Sequence, residues 1–563
     1  MADSISTPNN PDTNPGLGPG PGADTTTPES DFLLECYTSL RRTLASPLST
    51  RGDGILPSAT ALNHCLASLP TPSSPSYLSP LGPSQTHAHL LTTILPALNH
   101  QSLSPRYLGF VTGGVLPIAE AADNLVTALD QNVQVHFPAA TSSSSPSSAS
   151  SEAGPPRWTH SASTAVEDAA LRMLISLLEL DGNDGAAVEW GGRTFTTGAT
   201  ASNILGLACG REAVVARRLA EADADNNNNN KKKKTVAQIG LLAACQAAGV
   251  KGIQVLTSMG HSSLSKAASV VGLGRGSVKE VGVGNEEPWR LDLDAVEREL
   301  VKGEREGVVS IVVVSAGEVN TGRFATNVLD MPKLRSLADR YGAWVHVDGA
   351  FGLFARALPK TDEFLGLHAH VAGLELADSI AADGHKLMNV PYDNGIFLCR
   401  DASILTQVFS NPNAVYLSSP GEPNAILSPL NIGIENSRRF RALPVYAVLL
   451  SEGREGIAAM LSRMVHLARE IAAFVRDSEH YEWLPVEDAS LEDTYMIVLF
   501  RAKDAALNEV LVDRINATGK MFVSGTKWAG KKAVRIAVGS WRVDVERDAA
   551  LIKEVLTDVA EGR

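Results

Sequence analysis

Lys386 and Asp348 are the residues of this chain whose type and setting first suggest chemistry. Lys386 lies in ADGHKLMNVPYDNG, among apolar and turn residues with no other lysine nearby. Most lysines are surface charges, but one drawn out of water gives up its proton more easily and becomes an amine nucleophile. Asp348 ends the apolar run AWVHVD. A carboxylate after a strand either caps a helix or faces a ligand at the strand end. If the strand's period of two continues, Asp348 and Ala350 share a face.

A lysine that forms an imine and a carboxylate that keeps a pyridine ring protonated are together what pyridoxal 5'-phosphate (PLP) requires. Ala350 would then lie against one ring face. His261, in TSMGHSSLSKAA, follows one predicted strand and opens a helix. It is either a helix-start imidazole with satisfied hydrogen bonds or a cover for the other ring face. In TTGATASN, Gly198, Ala199 and Thr200 form a small-residue turn into a helix, where backbone N–H groups and a hydroxyl can meet a phosphate. This stretch is neither a Walker loop nor GxGxxG. Phosphate turn, imidazole, aspartate and lysine follow one another at successive strand ends, where ligands of α/β sheets gather.

The elements that position these residues alternate. GIQVLTS, VVSIVVVSAG, AWVHVDGA, SIAAD and GIFLCRD read as strands, separated by helical stretches such as HSSLSKAASVVGLG and LDMPKLRSLADRYG. The pattern predicts an α/β domain with a mostly parallel central sheet. Residues 1–30 are polar and Pro/Gly-rich and read as a disordered tail, and 31–138 as a helical N-terminal segment. Residues 139–157 are a low-complexity insertion, and 158–425 form the large domain with a disordered Asn/Lys loop at 223–235. Residues 426–563 read as a smaller α+β domain, opened by two long helices.

The totals bound the function. The 563 residues, 44% hydrophobic and 20% charged, predict a folded protein of several domains. A net charge of -13 argues against a nucleic-acid partner. Five scattered cysteines with no CxxC pair give no metal site and fit a reducing compartment. No apolar run is long enough for a membrane helix, and the start has no secretory pattern, so a cytoplasmic location is expected.

These motifs, taken in order, resemble those of the group II PLP-dependent amino-acid decarboxylases, which include aromatic-L-amino-acid, tyrosine, histidine and glutamate decarboxylases. The likeness rests on TTGATASN, TSMGHSS, SAGEVNTG, HVDGAFG, DGHKLMNVPYDNG and NSRRFRALPVYAVLLSEGREG, and runs from about Ser104 to the C-terminus apart from the two insertions. It implies fold type I and a homodimer with active sites at the subunit interface. It further implies a Schiff base on Lys386, Asp348 at the ring nitrogen and His261 on a ring face. Ala199, Thr200 and His385 would hold the phosphate, with Asp383 close by. SPRYLGFVTGG would line the substrate pocket through Phe110, Val111 and Thr112. Tyr416, at the spacing of the family's loop tyrosine, would return a proton to the α-carbon of a quinonoid intermediate. A loop tyrosine taken alone is more often a packing residue.

The implied reaction is decarboxylation of an L-amino acid, with an aromatic one as the family-based expectation. Oxidative deamination to an aldehyde, transamination, a side-chain lyase step and a non-catalytic dimeric scaffold are the alternatives. Three residues depart from the family pattern: Leu387 where HKW is usual, Ala201 where many members have Glu, and Glu318 where animal enzymes have a Thr beside the cofactor's 3'-oxygen.

Overall fold

The computed structural model describes residues 28–45, 55–74, 77–133, 161–182, 189–225, 235–411, 426–486 and 490–563. The chain divides into two compact units, Met1–Asn99 and His100–Arg563. The insertion expected at 139–157 and most of the loop expected at 223–235 lie outside the described residues.

In the first unit the helices are Pro28–Ala45, Ala59–Ser68 and Pro83–His89. Ser58 caps the second by accepting from the Ala61 N–H at 3.1 Å. Ser39 and His87 join the first and third through a 3.0 Å hydrogen bond. The first helix buries none of its residues, and Leu33, Leu34 and Tyr37 remain exposed.

The second unit is built on strands β1 (Gly192–Thr196), β2 (Gly252–Thr257), β3 (Val278–Glu280), β4 (Gly282–Val283), β5 (Glu287–Leu291), β6 (Val308–Ser315), β7 (Trp344–Asp348), β8 (Ser379–Asp383) and β9 (Gly395–Cys399). Strands β10 (Tyr481–Leu484), β11 (Ile497–Ala502), β12 (Ser524–Trp528) and β13 (Lys531–Ala537) follow. Seven of them form one sheet in the order β1-β9-β8-β7-β6-β2-β3. Only β9 runs against the others, pairing antiparallel with β1 and β8. All six parallel strands therefore end on one edge, as the alternating pattern predicted. β6 reads VVSIVVVS and is buried after its first residue, as a central parallel strand covered on both faces must be. Full burial of an aliphatic side chain such as Ile311 or Val314 contributes roughly 1.5–3 kcal/mol.

The covering helices start and stop on local signals. Asp292 accepts from the N–H groups of Asp294 and Ala295, both at 2.9 Å, and opens Leu293–Glu306. That helix closes on Gly307 in the left-handed conformation, and Asp330–Tyr341 closes likewise on Gly342. The C-terminal part carries the antiparallel sheet β10-β11-β13-β12, with helix Ala505–Ala517 between β11 and β12. Ahead of it, Ala442–Asp477 is one helical element broken at Gly453, whose φ of 58° and ψ of -168° interrupt it; this is the predicted pair of helices. Arg438, just before that element, makes a buried two-pronged ion pair with Glu167 of helix Ser163–Leu177.

Candidate active site

The shared strand edge brings the predicted residues together. Ser315 of β6 is in register with Asp348 of β7, and Asp348 with Ala381 of β8. Asp383 of β8 faces Gly395 of β9, which faces Thr196 of β1. Ala199 and Thr200 begin the long helix Ala199–Asp225 immediately after β1. His261 follows β2 and caps helix Ser262–Val270.

Lys386 sits in the one-turn helix Gly384–Leu387 after β8, half-buried. Its Nζ lies 3.0 Å from Asp383 Oδ2 and 5.7 Å from the centre of the Phe351 ring. Asp383 is shared: its Oδ1 accepts the Ala199 N–H at 2.6 Å. One carboxylate thus serves the amine and the positive end of the long helix. His385 Nδ1 accepts the Asn394 N–H at 3.2 Å, which puts the ring proton on Nε2, 3.6 Å from Asp383 Oδ1. Burial pushes the His385 pKa below the usual histidine value, against the pull of Asp383.

Asp348 is buried at the end of β7. Its Oδ2 accepts from Asn203 Nδ2 at 2.8 Å, and its Oδ1 from the Ala350 N–H at 3.3 Å. β7 stops at Asp348, so the strand alternation does not extend to Ala350, which lies in the following turn. His261 accepts the Ser263 N–H on Nδ1 at 3.2 Å, so the bond expected of a helix-start histidine is present. The surrounding protein lowers its pKa, while the charges of Asp348, Lys386, Asp383 and Arg535 all reach it. Ser263 Oγ lies 2.7 Å from His261 Nδ1 and 3.4 Å from Asn203 Nδ2, the amide that also donates to Asp348, so the imidazole and the aspartate are joined through two side chains.

The segment expected to line the substrate pocket is held on two sides. Gly109 O accepts from Ser524 Oγ at 2.7 Å and from Arg535 Nη1 at 3.0 Å, and Ala537 N–H reaches Leu108 O at 2.8 Å. On the other side Asn389 Oδ1 accepts from the Gly114 and Trp541 N–H groups, both at 3.0 Å. Gly113 is required there, because a Cβ would lie 2.4 Å from Asn389 Oδ1 and 2.7 Å from Lys386 O. Phe110 is half exposed, Val111 is buried and Thr112 is partly buried. Tyr416 lies outside the described residues. Glu318 folds onto its own turn, accepting from Thr321 N–H at 2.7 Å, Thr321 Oγ1 at 2.8 Å and Asn320 Nδ2 at 2.9 Å.

Sequence reasoning missed four residues of this pocket. Asn203 ends TTGATASN, and its signal was an amide on the apolar face of a helix. Asn389 gave the signal of an asparagine at a turn, and it adopts a left-handed φ of 52°. Tyr392 packs at a 35° tilt against His385 with ring centres 4.4 Å apart, and partial removal from water with nearby Asp383 pushes its phenol up to about 12. Arg535 came from a strand of the small domain and carried no local signal. It is buried with no partner for its Nε among the described residues, its guanidinium lies 5.9 Å from the Phe110 ring centre, and burial pushes its pKa down to about 10 despite Glu318.

A half-buried amine, a strand-end carboxylate, an imidazole beside them and a helix N-terminus on one sheet edge define a site of the PLP type. Ser258, at the end of β2, and Arg535 also keep buried polar atoms without partners among the described residues. The donor set fits an anionic, ring-bearing cofactor. Residues 157–503 match the family model described as the pyridoxal-dependent decarboxylase conserved domain, and the chain belongs to that family. The family's members are carboxy-lyases and their cofactor is PLP.

The chain is 28% identical over 375 residues to the L-2,4-diaminobutyrate decarboxylase of Acinetobacter baumannii, covering 65% of this chain and 68% of that one. It is 26% identical over 293 residues to tryptophan decarboxylase 2 of Oryza sativa subsp. japonica, covering 50% and 55%. The crystal structure of Oryza sativa TDC with PLP and tryptamine superposes with a TM-score of 0.70 at 21% identity, over 96% of this chain and 99% of that one. At that identity the likeness concerns the fold, and the expected fold type I architecture is the one found.

Proposed function

We propose that this chain is a PLP-dependent carboxy-lyase that converts an L-amino acid to its amine and CO2. The observation that carries the reading is the convergence of Lys386 with Asp383, and of Asp348 with Asn203, on one sheet edge, with His261 joined to Asn203 through Ser263. Bound PLP supplies an electron sink for the bond broken at the α-carbon. Lys386 Nζ is the amine that would hold it, and the Asp348 carboxylate would accept from its ring nitrogen. The N-terminus of helix Ala199–Asp225, with Thr200 and the His385 Nε2–H, would receive the phosphate. His261 would cover one face of the ring.

Substrate recognition is assigned to Phe110, Val111 and Thr112, with Arg535 as a nearby cation for a carboxylate. The Phe110 ring supports the expectation of an aromatic substrate, and the unpartnered Arg535 Nε supports an acidic one. Tyr416 is proposed as the proton donor on the grounds of its spacing alone. A second copy of the chain is the proposed partner, covering the exposed Leu33, Leu34 and Tyr37. Light scattering should then give twice the chain mass of 59.5 kDa. Five free cysteines fit a reducing, cytoplasmic setting, and no described helix is long and apolar enough to cross a membrane.

The test is the visible absorbance of the purified chain after PLP addition. An imine band, abolished by borohydride and absent from Lys386→Ala, is expected. Folded protein with no band overturns the reading. Mass spectrometry of amine, keto acid and CO2, with a peroxide assay, across a panel of L-amino acids then separates decarboxylation from the other PLP reactions.

A further inference from the structure

We propose that Asn203 is a positioning residue for the PLP site: its one amide orients Asp348 toward the cofactor's ring nitrogen and, through Ser263, fixes His261 over the ring. The inference rests on the PLP reading above and goes beyond it to a residue one turn inside helix Ala199–Asp225.

The hydrogen bonds leave little freedom. Asn203, His346 and Ser379 are fully buried. An ionised carboxylate only accepts. Asn203 must therefore present Nδ2 to Asp348 Oδ2, at 2.8 Å, and Oδ1 to His346 Nε2, at 2.9 Å. That ring nitrogen then has to carry the proton, and His346 Nδ1 has to accept. Its partner is Ser379 Oγ at 2.8 Å, which itself receives the Trp344 Nε1–H at 3.0 Å. Burial lowers the His346 pKa to about 4, so the ring is neutral and carries one ring proton. In the other direction Asn203 Nδ2 reaches Ser263 Oγ at 3.4 Å, and Ser263 Oγ lies 2.7 Å from His261 Nδ1. Because His261 Nδ1 already accepts the Ser263 N–H, its proton sits on Nε2.

The network thus starts at Trp344, fixes the tautomer of His346, and forks at Asn203 to the two residues that would bracket the cofactor. Gly206, one turn further along the helix, leaves room for it, since a Cβ there would lie 2.4–2.9 Å from the His346 ring.

The experiment compares PLP dissociation constants and the intensity of the visible imine band in wild type, Asn203→Asp and Ser379→Ala, with the thermal unfolding of each apo chain. Asn203→Asp keeps the shape but turns an acceptor toward Asp348, and PLP affinity should fall roughly tenfold or more. Ser379→Ala removes the group that fixes the His346 tautomer and also the acceptor of the Trp344 Nε1–H. It should weaken PLP by roughly threefold and change the band, with some loss of apo stability from the unsatisfied indole donor. Wild-type affinity and an unaltered band in both variants overturn the inference. If Asn203→Asp does not fold, an unchanged Ser379→Ala overturns it alone. A wild-type chain that binds no PLP instead overturns the proposed function, and this inference with it.

Discussion

At the scale of single residues, the pocket holds a buried cation and a neutral buried histidine, and both have measurable consequences. Arg535 reaches Gly109 O and the Phe110 ring while leaving Nε unpartnered. Arg535→Met should raise KM for the preferred amino acid roughly tenfold, about 1.4 kcal/mol, while PLP affinity stays near wild type. An unchanged KM would remove Arg535 from substrate binding. His346 makes stability depend on pH. Its folded pKa of about 4 lies below the ordinary 6.5, so between these values the unfolded chain binds the extra proton. Stability contributed by neutral His346 is complete above about pH 6.5 and falls as pH drops toward 4, by on the order of 3 kcal/mol in all. Denaturant unfolding at pH 7 and pH 5 should show a smaller difference in His346→Gln than in wild type. Equal differences would mean that His346 is not the titrating group.

At the scale of elements, the chain depends on close approaches where nothing larger than glycine fits. Gly206→Ala would drive a methyl group into the His346 ring and push the long helix off β7. Overpacking of this kind costs about 1–3 kcal/mol, read as a lower unfolding midpoint in denaturant. Breaking the buried Glu167–Arg438 pair with Arg438→Met should cost about 3–5 kcal/mol, because Glu167 is left charged and enclosed. A midpoint near wild type would show that water or another cation replaces the arginine.

Local patterns made the elements around the site readable. VVSIVVVS read as a strand of the kind buried on both faces, and TTGATASN had the small residues of a strand-to-helix turn. Lys386, Asp348 and His261 were legible because each sits at a strand end. Arg535 was not, because its place in the pocket is set by β13 pairing with β11 and β12 far along the chain. Nor could the strand rule be carried past Asp348, where β7 ends before Ala350.

At the scale of the whole molecule, cofactor binding and folding should be linked. The groups that would hold PLP come from β1, β2, β7 and β8, which are neighbours or near neighbours in one sheet, so a ligand that spans them favours the folded chain. PLP at about one hundred times its dissociation constant should add about 2.7 kcal/mol of stability. The unfolding temperature should rise with PLP concentration in wild type and rise less in Lys386→Ala. No rise in wild type would contradict the linkage.

Asn389 bears on how a substrate could enter. Its side chain accepts from Gly114 and Trp541, its Nδ2 lies 3.2 Å from the carbonyls of both Leu387 and Gly539, and its own carbonyl receives the Leu116 N–H at 2.9 Å. The lysine turn, the Gly114–Leu116 stretch and the exit from β13 therefore share one rivet. A hinge that swung the C-terminal sheet away from the large one would have to break these hydrogen bonds at the residues following Lys386. Substrate entry is therefore expected where, among the described residues, Phe110 is half exposed and His261 meets solvent.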